Sequence, residues 1–163
     1  MAPLGPGGPA GPRCQWPGGA GAPAVPLRRL GVAEPADVGR ARRAVRALAA
    51  ALGFGLEDTE AVALAVTELA TNLVRYARLG EIVLSRVECP DAARGPGVQV
   101  ESRDAGPGIA DAARAMEDGF STGGGLGSGL PAVRRLMDDF ALTTDAAGTR
   151  IVARKWPRRS RPR

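Results

Sequence analysis

Residues Gly123 to Leu130 read Gly-Gly-Gly-Leu-Gly-Ser-Gly-Leu and run directly into a helical pattern carried by Val133, Leu136 and Met137. Glycines at this density allow positive φ angles and remove the Cβ atoms that keep backbone away from a polyphosphate. The first turn of the following helix offers unpaired N–H groups at its positive dipole end. A nucleotide is the ligand such a stretch suggests, against the plainer alternative of a flexible linker. Pro131 falls in the first turn of that helix, where its missing N–H does little harm.

Two further groups of residues have types suited to the same ligand. Glu68 and Asn72 stand four residues apart in an otherwise apolar helical pattern with Val62, Val66, Leu69 and Leu73. Residues at i and i+4 share a helix face, so one small ligand can touch both. An Asn carbonyl oxygen suits Mg²⁺, a hard ion that bridges to phosphates, and a Glu one turn earlier can orient water or take a proton from a hydroxyl. The structural alternative is a solvated helix edge or a satisfied polar pair. Asp104-Ala105-Gly106-Pro107-Gly108 is an ordinary turn in most contexts, but a carboxylate at a strand end also accepts from the exocyclic amine of adenine, and its glycines let a planar base lie on backbone. Gly148-Thr149 is a hairpin turn that adds only a supporting mark.

Exclusions narrow the chemistry. The chain contains no histidine, which removes a Ser-His-Asp triad, a His-assisted cysteine nucleophile and any His-ligated zinc. Its single lysine, Lys155, lies near the end, so neither a Walker A loop nor the strand lysine of the ordinary protein-kinase fold is available. The dinucleotide pattern G-x-G-x-x-G also fails: from Gly125 it demands glycine at Leu130, and from Gly123 at Ser128. A nucleotide site of another design is required.

At 163 residues and 44% hydrophobic, the chain is long enough for one domain with a real core. Its 22 basic residues exceed 17 acidic ones, but much of the excess lies in the last stretch, from Arg150 to Arg163. With three Phe, two Trp and one Tyr there is no aromatic array for stacking bases, which argues against direct nucleic-acid binding. Cys14 and Cys89 lack metal-ligand spacing and read as free thiols of a reducing compartment. No membrane-length apolar span or signal-type core occurs, so a cytoplasmic location is expected.

The elements that must position these residues follow from periodicity. Seven Pro and seven Gly among the first 26 residues mark residues 1–24 as a disordered arm. A strand is expected from Val25 through Val32. A helix capped by Asp37 follows, with Val38, Ala41, Val45, Leu48, Ala49 and Leu52 on one stripe and Arg40, Arg43 and Arg46 on the other faces. Gly53 to Glu57 turn the chain, Asp58 is a second candidate cap, and a helix runs to about Ala77. Period-two patterns then predict a hairpin, with one strand through Ile82 and Leu84 and the next over Val98 to Ser102. A short helix over 109–118, the glycine loop, a helix over 127–138, and two strands, Phe140 to Thr144 and Thr149 to Lys155, complete the order. The fold class is α/β: a two-layer sandwich whose mixed, mostly antiparallel sheet carries its helices on one face. Residues 25–156 form the domain, and 157–163 a mobile basic tail.

In order, Glu68-Leu69-Ala70-Thr71-Asn72, Asp104-Ala105-Gly106-Pro107-Gly108, Gly125-Leu126-Gly127-Ser128-Gly129-Leu130 and Gly148-Thr149 resemble the boxes of the ATP-binding (Bergerat) fold shared by gyrase, Hsp90, histidine kinases and MutL. Asp118 to Gly127, Leu130 to Asp138 and Lys155-Trp156 are most similar to the serine/threonine switch kinases of bacterial partner-switching and stressosome pathways. The likeness spans about residues 25–156. The resemblance implies that Asn72 holds Mg²⁺ and that Glu68 is the catalytic base. It implies that Asp104, with Gly106, Gly108 and Ile109, takes the adenine of ATP. Gly123, Gly124, Gly125, Leu126, Gly127, Ser128, Gly129 and Leu130 would hold the phosphates, with Thr149 completing the site. It also implies a STAS-type anti-sigma-factor antagonist as the phosphoacceptor. Two other roles remain open for the same boxes: sequestering a sigma factor, or activating a PP2C-type phosphatase by direct contact. Tyr76 stands where many members carry His or Lys, and Arg114 is the only basic residue between Gly108 and Gly125.

Overall fold

The computed structural model describes residues 23–89, 94–117 and 129–158. Alternating apolar side chains make strands β1 (Ala24–Val32), β2 (Gly80–Val87), β3 (Gly97–Asp104), β4 (Asp139–Asp145) and β5 (Gly148–Lys155). They form one sheet in the order β1-β2-β3-β5-β4. Every neighbouring pair is antiparallel, so the mostly antiparallel sheet expected from the sequence has no parallel pair among the described strands. Its helices are α1 (Pro35–Ala51), α2 (Leu56–Tyr76), α3 (Ala112–Ala115) and α4 (Gly129–Leu136).

One set of alternating strand residues faces the helices. Ile82, Leu84, Val98, Val100, Ile151 and Ala153 pack there with Ala41 and Val45 of α1, Val62, Val66 and Leu69 of α2, and Val133 of α4. Each fully buried Val, Leu or Ile contributes about 1.5–3 kcal/mol relative to exposure. Helix α2 lies between α1 and α4 and packs against both, which is why its sequence is apolar around most of its circumference. On the opposite sheet face Glu101 is buried and accepts from Arg103 Nε at 2.5 Å and from Arg150 Nε. Burial pushes the Glu101 carboxyl up, but these two guanidinium bonds outweigh it and hold it below the usual carboxylate range.

The caps differ from expectation by one turn. Glu34, not Asp37, is the N-cap of α1, with Pro35 in the first turn and Asp37 at N3 of a capping box. Asp37 Oδ2 accepts from the backbone N–H groups of Ala33 at 2.9 Å and Glu34 at 3.1 Å, and these bonds hold its carboxyl below its ordinary value. Gly55 rather than Asp58 caps α2. Asp58 is buried and bound from the far end of the chain: its Oδ2 accepts from the backbone N–H of Arg158 at 2.9 Å, and Oδ1 lies 3.2 Å from Arg158 Nε. The short helix expected over 109–118 reduces to Ala112–Ala115, capped by Asp111, while Ile109, Ala112 and Met116 pack against the core as expected. The expectation of free thiols is corrected at Cys89, which is disulfide-bonded and packs with Val87 and Trp156. Residue spacing along the chain does not show which thiols the fold brings together. Cys14 lies outside the described residues.

Candidate active site

Helix α2 carries Glu68 and Asn72 on the face turned toward the start of α4. A Cβ built on Gly129 would lie 3.5 Å from Glu68 Oε2, 3.5 Å from Asn72 Nδ2 and 3.6 Å from Asn72 Oδ1. Both side chains are half-buried and make no hydrogen bond or ion pair among the described residues. This arrangement follows from packing: Val66, Leu69 and Leu73 commit one stripe of α2 to the core, and α4, anchored by Leu130 and Val133, docks beside it. Gly129 and Leu130 thus deliver the end of the glycine stretch to the two polar side chains. Gly123, Gly124, Gly125, Leu126, Gly127 and Ser128 lie outside the described residues.

The second half of the site lies where β3, β4 and β5 end. Asp104 is opposite Thr149 in the β3–β5 register. Its Oδ1 accepts from the Gly106 N–H at 2.8 Å, closing an Asx turn, while Oδ2 makes no hydrogen bond among the described residues. The turn sits against the end of α2: Ala105 N–H donates to the Arg78 carbonyl at 3.0 Å, and a Cβ on Gly106 would lie 3.6 Å from the Tyr76 carbonyl oxygen. Asn72 is one helical turn, about 6 Å of rise, before Tyr76. The glycines here are required by backbone. Gly108 has φ +78, and a Cβ there would collide with the Asp145 carbonyl; a Cβ on Gly148 would collide with the Asp104 carbonyl.

Sequence reading missed Thr144. This buried residue lies opposite Thr149 across the β4–β5 hairpin, their hydroxyls 3.0 Å apart, and its Oγ1 accepts from the Ile109 N–H at 2.8 Å. It ties Ile109, Thr149 and the Asp104 turn into one polar network. The signal lay in the hairpin: a turn over Asp145 to Gly148 sets Thr144 and Thr149 across from each other.

The donor set fits Mg²⁺ held through a nucleotide. Asn72 Oδ1 is a hard oxygen without a protein partner among the described residues, and Mg²⁺ takes one or two protein oxygens together with phosphates and waters. Among the described residues there is no group of three His, Cys, Asp or Glu side chains able to hold a metal ion by themselves. No described helix is long and apolar enough to cross a membrane.

Known proteins are similar to this chain in sequence and in fold. Residues 31–155 match the histidine kinase-like ATPase domain family. The chain is 48% identical over 124 residues to the serine/threonine-protein kinase RsbT of Bacillus subtilis, an alignment covering 75% of this chain and 90% of that one. Its fold is similar to that of the RsbU and RsbW domains of Rv1364c from Mycobacterium tuberculosis, with a TM-score of 0.57 at 18% identity. That match covers 87% of this chain and 35% of the longer one, so this chain spans about a third of it. The mycobacterial sensor histidine kinase MprB superposes with a TM-score of 0.50 at 18% identity, covering 82% of this chain and 99% of MprB. With its ordered boxes, its helix-on-sheet architecture and its near-half identity to RsbT, the chain belongs to the histidine kinase-like ATPase domain family, in the serine/threonine-protein kinase group that includes RsbT.

Proposed function

We propose that this kinase transfers the γ-phosphoryl group of Mg·ATP to a serine or threonine of a small STAS-type antagonist protein in a cytoplasmic partner-switching module. The observation that carries this reading is the meeting of Glu68 and Asn72 with Gly129, where the glycine stretch enters α4. Phosphoryl transfer asks a protein mainly for positioning and for compensation of charge. Backbone N–H groups in the first turn of α4 suit anionic oxygens, and the helix dipole adds to their field. Asn72 would hold Mg²⁺ through its amide oxygen, and the ion would then screen the charge of the phosphates. Asp104 Oδ2 accepts from the exocyclic amine of adenine, with the Asx turn fixing the carboxylate.

Glu68, beside Gly129 at the start of α4, takes the proton of the partner's hydroxyl. As that oxygen bonds to the γ-phosphorus, the bond from phosphorus to the bridging oxygen breaks, ADP leaves with that electron pair, and the carboxyl holds the proton. Residues 25–156 contain every group named.

The test is transfer of label from γ-labelled ATP to purified STAS-domain proteins from the same genome. Mg-dependent labelling of a Ser or Thr on one of them is the expected result. Absence of labelling on all of them, with ATP bound, would leave a module that sequesters a sigma factor or activates a phosphatase by contact.

A further inference from the structure

The sheet face that carries Glu101, turned away from the helices, holds a second and smaller core at one end. Val87, the last residue of β2, packs there with Cys89 and Trp156, apart from the main core, and all three are buried. Trp156 follows β5 and comes so near the start of β3 that a Cβ on Gly97 would lie 2.6 Å from its Cδ1. Gly97 is opposite Val87 in the β2–β3 register, and Ala24, the first residue of β1, is opposite Val87 on its other side. The chain therefore enters the sheet beside this small core. Asp104 stands at the far end of the eight-residue strand β3, a rise of about 23 Å away.

Cys89 is disulfide-bonded, and the chain holds one other cysteine, Cys14. Cys14 precedes Ala24 by ten residues, a length of chain that spans up to about 33 Å and is ample to turn back from the start of β1 to Cys89. A bond between the two closes a loop of about 75 residues in the unfolded chain. In the folded chain, where the sheet already sets Ala24 beside Val87, it closes only the short stretch before β1. The entropy lost on closure grows with the logarithm of loop length, so the bond restricts the unfolded chain more than the folded one and favours folding. In a reducing compartment a bond of this kind opens and closes with the redox state, unlike the permanent staples of secreted proteins.

We propose that Cys14 and Cys89 form a reversible, redox-controlled tether that holds the N-terminal arm against the Val87–Trp156 core, at the end of the sheet away from the nucleotide site. A low-molecular-weight disulfide is the oxidant. One cysteine thiolate attacks it and releases one small thiol, and the second cysteine attacks the mixed disulfide and releases the other. The two small thiols carry away the two electrons and the protons of both cysteines. The test equilibrates the full-length chain with excess oxidised or excess reduced glutathione, blocks free thiols by alkylation and maps unreduced tryptic peptides by mass spectrometry. The oxidised sample is expected to contain peptide 14–28 joined to peptide 87–94, and the reduced sample the two apart. The oxidised chain should unfold about 3 °C or more above the reduced one, with equal ATP affinity in both states. That difference should vanish in Cys14→Ser, which keeps Cys89 in its packing. A bond that survives excess reduced glutathione is a permanent staple, and one that never forms, or that doubles the mass by joining two chains, is no tether; each result overturns the proposal. Equal Tm values in the two states would overturn it too, and a change of ATP affinity on oxidation would overturn the placement away from the nucleotide.

Discussion

Gly129 stands opposite Asn72, close enough that a single added methyl would touch both the nitrogen and the oxygen of the amide, at 3.5 and 3.6 Å. A residue without a side chain thus separates the polar face of α2 from the start of α4, with both atoms of the Asn72 amide beside it. Asn72→Ala is expected to weaken nucleotide binding measured with Mg²⁺ by at least about tenfold while leaving binding measured with chelator nearly unchanged. Calorimetry under the two conditions checks it. An equal loss in both would place Asn72 in contact with the nucleotide itself and not with the metal.

Asp104 commits one oxygen to its own turn, and the other makes no hydrogen bond among the described residues. Asp104→Asn preserves the turn, because an amide oxygen still accepts from the Gly106 N–H, but replaces the charged acceptor proposed for the base. ATP affinity should fall by about ten- to a hundredfold, the worth of a hydrogen bond to a charged group, and preference for ATP over GTP should narrow. Competition binding with the two nucleotides measures both.

Gly108 and Gly148 hold the turns beside Asp104 by close approach of backbone to backbone. Gly108→Ala places a Cβ against the Asp145 carbonyl at a φ of +78, so it is expected to destabilise the fold by more than about 1 kcal/mol, seen as a lower urea midpoint. Gly129→Ala, whose methyl would meet only ordinary van der Waals contacts, should leave the midpoint close to wild type.

Asp37 makes the stability of α1 depend on acid. Its folded carboxyl titrates below the ordinary 3.8 because two backbone N–H groups bind the charged form. A depressed carboxylate contributes stability that is present above its unfolded value and lost as pH falls through its folded one. The difference in Tm between wild type and Asp37→Ala should therefore be constant from about pH 8 to about pH 5 and shrink below 3.8. A difference that persists unchanged at the acid end would mean that packing of Asp37, not its charge, stabilises the helix.

The far end of the chain closes on α2. Arg158 supplies a backbone N–H and a guanidinium to buried Asp58, and its Nη1 lies 2.8 Å from Glu57 Oε1. A chain covering 25–158 is expected to fold and bind ATP like the full length. Ending it at Trp156 leaves the Asp58 carboxylate short of two donors, at about 1–3 kcal/mol of stability. Thermal unfolding of the two shortened chains tests this, and equal Tm values would show that the closure is not stabilising.

The strands, the two long helices and the pairing of Glu68 with Asn72 were legible because each rests on local periodicity: two for the strands, and three or four for the helices. The order of strands was not, since β3 joins β5 across an intervening pair of helices and β4, a long-range choice that no local pattern encodes. Asp37 and Asp58 show the same limit at smaller scale. Both have the chemistry of a cap, and the chain starts each helix earlier, at Glu34 and Gly55, because Pro35 suits a first turn and because the Asp58 carboxylate is taken by Arg158, 100 residues away. Thr144 was overlooked as one threonine in a polar hairpin; only the register that sets it against Thr149 makes it part of the site. The state of Cys89 is likewise a matter of tertiary proximity.

Single-turnover transfer of labelled phosphate from ATP to the STAS-type acceptor measures directly whether Glu68 acts as a base beside a bound nucleotide. Glu68→Gln keeps the size and shape of the side chain and removes its ability to hold the proton. The expected result is a transfer rate lower by about 10²–10⁴-fold with ATP and acceptor affinities close to wild type. Transfer by Glu68→Gln at the wild-type rate would show that Glu68 is not the base.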